Sequence, residues 1–415
     1  MRKTQSRSPE LERKWVRFDI LPVRLVEHWP MPNRFLGITV LSDYILSEGV
    51  DAVIENIISR TGATAVACNP TVTIPAAEGT GSFQPPSDAG SSPRLFDRLL
   101  FGKRALWVRS GPSYEPNPDF YHESPYPPRA PNDITREFGS RIGEFIRVAR
   151  DRGLEVYLQI GATMLSGLHE DDLPRLPNGG LPANRMANTG SLASDAVWQF
   201  QRAYIRDLLQ AYPEISGLRP DWPEYPCYKL DEAFQDFSPH AERWAKANGF
   251  DFERAKRDAQ ALYNHLSGNL RNEDLERFAH PGRGTTALAH LLRDHPGLTE
   301  WLRLKAALSA GCLKRWSDVL AECADGPPKK LLANAFMPPY SILTGFDFRQ
   351  VSEFCDAVSP KLYTMHWTVI ISFSAEVMLK GNTGIPVQRK RTRSPTLRKR
   401  ARSMRCSRRY PVAQP

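Results

Sequence analysis

Two carboxylates and two large aromatic side chains crowd into the stretch Ser216-Gly-Leu-Arg-Pro-Asp-Trp-Pro-Glu-Tyr-Pro226. Asp221 and Glu224 are groups that transfer protons or stabilise developing charge. Trp222 and Tyr225 offer flat apolar faces of the kind that stack on ring-shaped ligands. Pro223 and Pro226 stiffen the loop that carries all four, and the plainer reading is a rigid turn capped by Asp221. In one extended strand Asp221 and Glu224 would lie ~10 Å apart and on opposite faces. A bend at Pro223 is what would let them converge.

The elements that must hold this loop alternate between strand and helix. Gly37-Ile-Thr-Val-Leu41 is a buried-type apolar run, followed by helical spacing over 50–60 (Val50, Val53, Ile54, Ile57, Ile58) and a helix stop at Gly62. Thr64-Ala-Val-Ala-Cys-Asn-Pro70 reads as the second strand, and residues 73–131 as a long Gly/Pro/Ser-rich excursion holding the aromatic piece Phe120-Tyr-His-Glu-Ser-Pro-Tyr126. A helix over 137–152, a third strand over 154–160, a helix over 193–211 and a fourth strand over 215–219 lead into the acidic loop. Residues 239–324 read as wholly helical, an insertion over about 239–297 plus the fourth helix of the repeat. Strand five is Lys330-Leu-Leu-Ala-Asn-Ala-Phe336, and Asp347 is placed to cap a short helix over 348–355. Ala357-Val-Ser-Pro-Lys-Leu-Tyr-Thr-Met-His-Trp367 is expected to be strand six and its loop. Strict β-α alternation implies a parallel sheet, and about six units point to an incomplete TIM-type (β/α) barrel, whose chemistry sits at the carboxyl ends of the strands.

Composition agrees with a folded body: of 415 residues, 41% are hydrophobic and 24% charged. The net charge of +9 misleads, because eleven Lys and Arg and no acid lie in 386–415, leaving 44 basic against 46 acidic residues in the rest. That Arg-rich tail is expected to be disordered. A genuine tail would bind nucleic acid or an anionic surface. An out-of-frame reading of a GC-rich gene has the same Arg, Ser and Pro content. The second reading is preferred, since a full barrel needs two more β-α units and only 369–379 remains before the tail. The chain divides into an N-terminal extension (1–34), the barrel (35–385) and the tail. Six scattered cysteines without a C-x-x-C pair, no basic leader with an apolar run behind it, and no long apolar span suggest a cytoplasmic protein with no membrane partner.

The segments G-I-T-V-L at Gly37, T-G-A at Thr61, G-L-R-P-D-W-P-E-Y-P at Gly217 and S-P-K-L-Y-T-M-H-W at Ser359 together resemble the glycoside-hydrolase-like TIM-barrel families, many known only as hypothetical glycosidases. The resemblance runs over about 35–367 and is most specific at the fourth and sixth strands. It implies a carbohydrate partner and a general acid after strand four, the position of Glu224, with Asp221 beside it. In related retaining barrels the nucleophile follows strand seven, and here no strand seven is recognisable. Glycoside hydrolysis requires carboxyl groups ~5–5.5 Å apart for retention or ~6.5–9.5 Å apart for inversion. Aromatic neighbours would desolvate Glu224 and favour its protonated form.

Further candidates lie where the strands end. Asn69 and Gln159 are placed to bind sugar hydroxyls, although Asn69 beside Pro70 equally suits a turn. Tyr363 and His366 are expected at the mouth of strand six, as ligand contacts or as packing. Arg185 and Asn188 fall in the loop after strand three. Tyr121, His122 and Tyr126 are positioned to form a lid, whereas Asp356 reads as structural. His265, His280, His290 and His295 have no ligand spacing, and no phosphate-cradling glycine motif or nucleophile elbow appears, so no metal or cofactor is expected. The reading is thus a glycosidase-like barrel. Its alternatives are a non-catalytic carbohydrate-binding barrel and a nucleic-acid-associated protein working through the tail.

Overall fold

The computed structural model describes residues 35–84, 106–183, 185–279, 281–323, 326–362 and 364–385. The N-terminal extension and the basic tail therefore lie outside the described residues. Six strands form one parallel sheet in chain order: β1 (Gly37–Thr39), β2 (Ala65–Cys68), β6 (Glu155–Gly161), β7 (Gly217–Asp221), β8 (Lys330–Ala335) and β9 (Ala357–Pro360). Between β2 and β6 the chain builds a second, antiparallel sheet of β3 (Thr71–Ala76), β4 (Ser82–Gln84) and β5 (Leu106–Pro112), ordered β3-β5-β4.

Neighbouring strands of the parallel sheet are consecutive in the chain, apart from that excursion, and each pairs in parallel with the next. This is the winding of a barrel rather than of a doubly wound sheet, in which the order reverses. The sheet is also curled. Arg219 on β7 donates from Nη1 to Thr39 Oγ1 on β1 at 2.9 Å, yet in a flat sheet those strands, three places apart, would be about 14 Å apart. The result is a curled, six-stranded part of a TIM-type barrel.

The outward face of the strands carries the core. Val66, Val156, Leu158, Leu218, Leu331 and Ala333 are buried against the helices Val50–Thr61, Ser140–Asp151, Asp195–Ala211 and Gly297–Glu322. The inward face holds a small cluster of Ala65, Ala67, Tyr157 and Leu332. Local signals in the sequence explain the helix ends. Gly62 stops its helix at φ +63° with its N–H on Ile58 O, and Asp347 caps its short helix by accepting from the N–H groups of Arg349 and Gln350. Ser194 likewise accepts from Val197 N to start the helix after β6. Between β7 and β8 the chain is helical, with Gly297–Glu322 returning to cover β8. No helix among the described residues is long and apolar enough to cross a membrane.

Two expectations need correction. The excursion 73–131 is not merely loop, since β3–β5 fall within or beside it. Pro75 and the surrounding Gly and Pro had hidden the strands. The segment after Ser359 is not a long strand either. β9 stops at Pro360, and Thr364–Gly381 is a helix, so the Thr-Met-His-Trp run that closes the expected strand is its first turn. From Thr364 to Lys380 the chain contains no Gly or Pro to interrupt a helix, and that outweighs its β-branched content.

Candidate active site

The site begins where β7 ends. Trp222 takes φ +53°, a left-handed conformation that costs a bulky residue on the order of 1–3 kcal/mol and turns the chain sharply out of the strand. Asp221 O accepts from Ala162 N at 2.8 Å, which locks this turn to the end of β6. The loop is fixed from behind as well. Ser309 Oγ donates to Pro223 O at 2.9 Å, and Tyr225 N donates to Thr344 O at 3.1 Å.

Glu224 is fully buried, with 0% of its surface exposed. Its Oε1 accepts from the backbone N–H of Phe336, just beyond β8, at 2.8 Å, while the buried Oε2 has no hydrogen-bond partner among the described residues. Burial pushes its pKa up to about 8, against the opposing pull of the Lys361 charge and the Phe336 N–H, with the Asp221 carboxylate adding a smaller upward push. Glu224 is therefore chiefly a neutral acid at pH 7.

Asp221 is one-fifth exposed and ion-paired with Lys361. Lys361 follows β9, where its N–H donates to Ala335 O at 2.9 Å, and its ammonium stands 4.5 Å from the centroid of the Trp222 ring. The single peptide group joining Ala335 to Phe336 at the end of β8 thus holds both residues, Lys361 through its carbonyl and Glu224 through its N–H. Beneath them, Arg219 spans the concave face. Besides Thr39, it donates from Nη2 to Asn334 Oδ1 at 2.6 Å. Sequence reasoning missed Lys361, Arg219 and Asn334. Lys361 stood inside the quoted S-P-K-L-Y motif and one residue past a strand, which was the available signal.

The expected residues meet different fates. Asp221 and Trp222 are half-buried where β7 ends, and Glu224, two residues further on, is fully buried. Asn69 and Gln159 are half-buried at the ends of β2 and β6, where Asn69 Nδ2 donates to Gln159 O at 2.7 Å. Tyr225 does not present a ring to a ligand. It is completely buried, with its hydroxyl donating to Asp236 Oδ2 at 3.1 Å and accepting from Leu192 N. The turn at Trp222 and Pro223 sends the chain inward at once, so two aromatics three residues apart point to different environments. Tyr363 lies outside the described residues, and His366 belongs to the first turn of the last helix rather than to a strand-end loop.

The lid expected of Tyr121 and Tyr126 is instead a wall. Both are buried and tethered through their hydroxyls, Tyr121 to Asp207 at 2.9 Å and Tyr126 to Asp172, while His122 is exposed. Arg185 turns back on its own loop, donating to Thr189 O, and Asn188 is exposed. Asp356 accepts from Leu331 N at 2.8 Å, which is the structural part expected of it.

The fold is similar to several solved glycoside hydrolase structures at low identity. The β-galactosidase of the psychrophilic Marinomonas ef1 is 13% identical with a TM-score of 0.43, over 80% of this chain and 41% of that one. The PgaB (BpsB) glycoside hydrolase domain of Bordetella bronchiseptica is 12% identical with a TM-score of 0.45, over 90% of each chain. The β-amylase catalytic domain of Paenibacillus polymyxa is 9% identical with a TM-score of 0.38, over 77% of this chain and 75% of that one. The chain thus spans less than half the length of the β-galactosidase. No family model and no curated protein matches its sequence.

Proposed function

We propose that the protein is a glycosidase-like barrel that engages a carbohydrate at the mouth formed by Asp221, Trp222 and Lys361, with Glu224 as general acid. The observation that carries the reading is the state of Glu224. A carboxyl group held at one oxygen by a peptide N–H, free at the other and kept neutral by burial is suited to donate a proton near pH 7. In that role Glu224 would pass its proton to the leaving oxygen as the glycosidic bond breaks. Asp221, held by Lys361, would stabilise the positive charge that develops on the sugar ring. Trp222 supplies the apolar face for the ring, and Asn69 and Gln159 border the same mouth.

A second reading, a carbohydrate-binding barrel without hydrolysis, is favoured by a different observation. Glu224 has no exposed surface and Asp221 is paired with a lysine, so neither carboxylate stands open. Glu224→Gln separates the two, because it keeps the shape and removes the proton. For a hydrolase, turnover of a glycoside with an unactivated alcohol leaving group falls by about 10²- to 10⁴-fold with binding unchanged. For a binding barrel, the wild-type protein retains sugar and turns none over. Absence of both binding and turnover across a broad glycan panel would remove both readings.

A further inference from the structure

One cleft beside the mouth remains unused by the mechanism. It encloses about 270 Å³ and begins at Pro70 and Thr71, the residues immediately after Asn69. Its other shoulder is the turn after β6 around Met164, which is 39% exposed. The aromatic segment of the excursion and the helix Asp195–Ala211 close it from outside.

The walls are aromatic and held in place. Tyr114 and Tyr121 both donate to Asp207 Oδ2, at 2.8 and 2.9 Å, while Asn117 N donates to Oδ1 of the same carboxylate at 3.0 Å. Tyr121 packs on Phe200 and Phe200 on Tyr204, each with ring centroids 5.7 Å apart. The rings consequently lose little freedom when a ligand arrives. Polar groups are few. The Arg129 guanidinium is fixed by Ser110, through its carbonyl at 2.5 Å and its hydroxyl at 2.8 Å, and the exposed Asn188 closes the rim. Flat apolar walls with a few hydrogen-bonding groups at the edge match the two faces of a pyranose, which are apolar on the C–H side and polar around the rim.

We propose that this cleft is a second carbohydrate subsite, which takes a sugar unit next to the one held at Trp222, so that the substrate is an oligosaccharide rather than a single sugar. The proposal rests on the carbohydrate reading above and extends it along the rim past Asn69.

The test uses the full chain on a microarray of mono- to hexasaccharides, followed by calorimetry with the strongest binder and its shorter members. Affinity is expected to rise at least tenfold between the monosaccharide and the trisaccharide. Asn188→Ala and Arg129→Met, both exposed changes, are expected to remove that gain while leaving monosaccharide affinity and melting temperature as they were. Trp222→Ala is expected to weaken ligands of every length. Affinity independent of length, or a length gain untouched by both rim variants, overturns the subsite and leaves the carbohydrate reading standing. Failure of every glycan to bind overturns both.

Discussion

The Lys361 ammonium lies over the Trp222 indole, 4.5 Å from its centroid, while it pairs with the carboxylate of the residue just before that tryptophan. Cation–π attraction and the ion pair act on the same charge, so the lysine fixes both the ring and Asp221 at the end of β7. It also acts on Glu224, whose acidity its charge increases.

Lys361→Met therefore has a predictable sign. Loss of the positive charge removes a downward pull on the Glu224 pKa, and the freed Asp221 carboxylate keeps its upward push. The Glu224 pKa rises above about 8. A general acid works while protonated, so the alkaline limb of a pH–activity profile should move upward in this variant. Asp221→Asn should move it downward. Where turnover is too slow to follow, a carbon-13 NMR titration of the labelled glutamates reads the same change. A limb that moves the other way in either variant would disprove the coupling.

Glu224 also controls stability. Its folded pKa of about 8 exceeds the ordinary value of 4.5, so between those limits the folded chain holds a proton that the unfolded chain has released. The contribution of Glu224 to stability must fall as pH rises through that window, at a rate of about 1.4 kcal/mol per pH unit and so by a few kcal/mol across it. Glu224→Gln removes the dependence. Urea midpoints at pH 5, 6.5 and 8 should show the variant gaining on the parent at each step, and parallel curves would refute the assignment.

The parallel sheet was legible because a strand buried on its outer face by helices reads as an apolar run, as Ala65–Cys68 and Lys330–Ala335 do. Asp221, Trp222 and Glu224 were legible because prolines and acids cluster after such a run. The inward fate of Tyr225 was not, since it depends on the left-handed backbone at Trp222, and nothing in the residue type signals that conformation. Lys361 escaped notice for a related reason. A lysine after a strand is ordinarily solvated, and only the curl of the sheet brings it over Trp222. The helix Thr364–Gly381 was obscured because Val, Ile, Thr and Phe favour strands when taken singly.

Close approach of two strands makes Gly217 a sharper structural test. A Cβ placed there would meet Lys330 O at 1.9 Å and two further backbone atoms of Lys330 within 2.8 Å. Backbone cannot swing aside as a side chain can, so β7 and β8 would have to separate at the base of the site. Gly217→Ala is expected to cost about 1–3 kcal/mol or more, as an overpacked position does, measured by urea denaturation. A loss under about 1 kcal/mol, the size of an ordinary substitution, would mean that the strands are not packed this closely.

Behind the acidic loop, Lys305 sets the last test. It is 1% exposed, donates from Nζ to Ala233 O at 2.9 Å and to Leu343 O, and lies 4.9 Å from the centroid of Trp301. Leu343 precedes Thr344, whose carbonyl holds Tyr225 N, so the lysine supports the Glu224 loop through one intervening stretch of chain. Burial lowers its pKa from 10.5 to about 7, opposed by Cys227 and Asp236. Between those values the unfolded chain binds a proton that the folded chain does not, so this group's contribution makes stability rise with pH, opposite in sign to that of Glu224. The neutral amine still donates its hydrogen bonds, whereas Lys305→Met takes the donor away from the buried Ala233 carbonyl and the part-buried Leu343 carbonyl. The deficit of Lys305→Met relative to the parent should therefore widen from pH 7 to pH 10. A deficit constant over that range would show that Lys305 is charged to the same extent in both states, and the buried neutral amine would have to be abandoned.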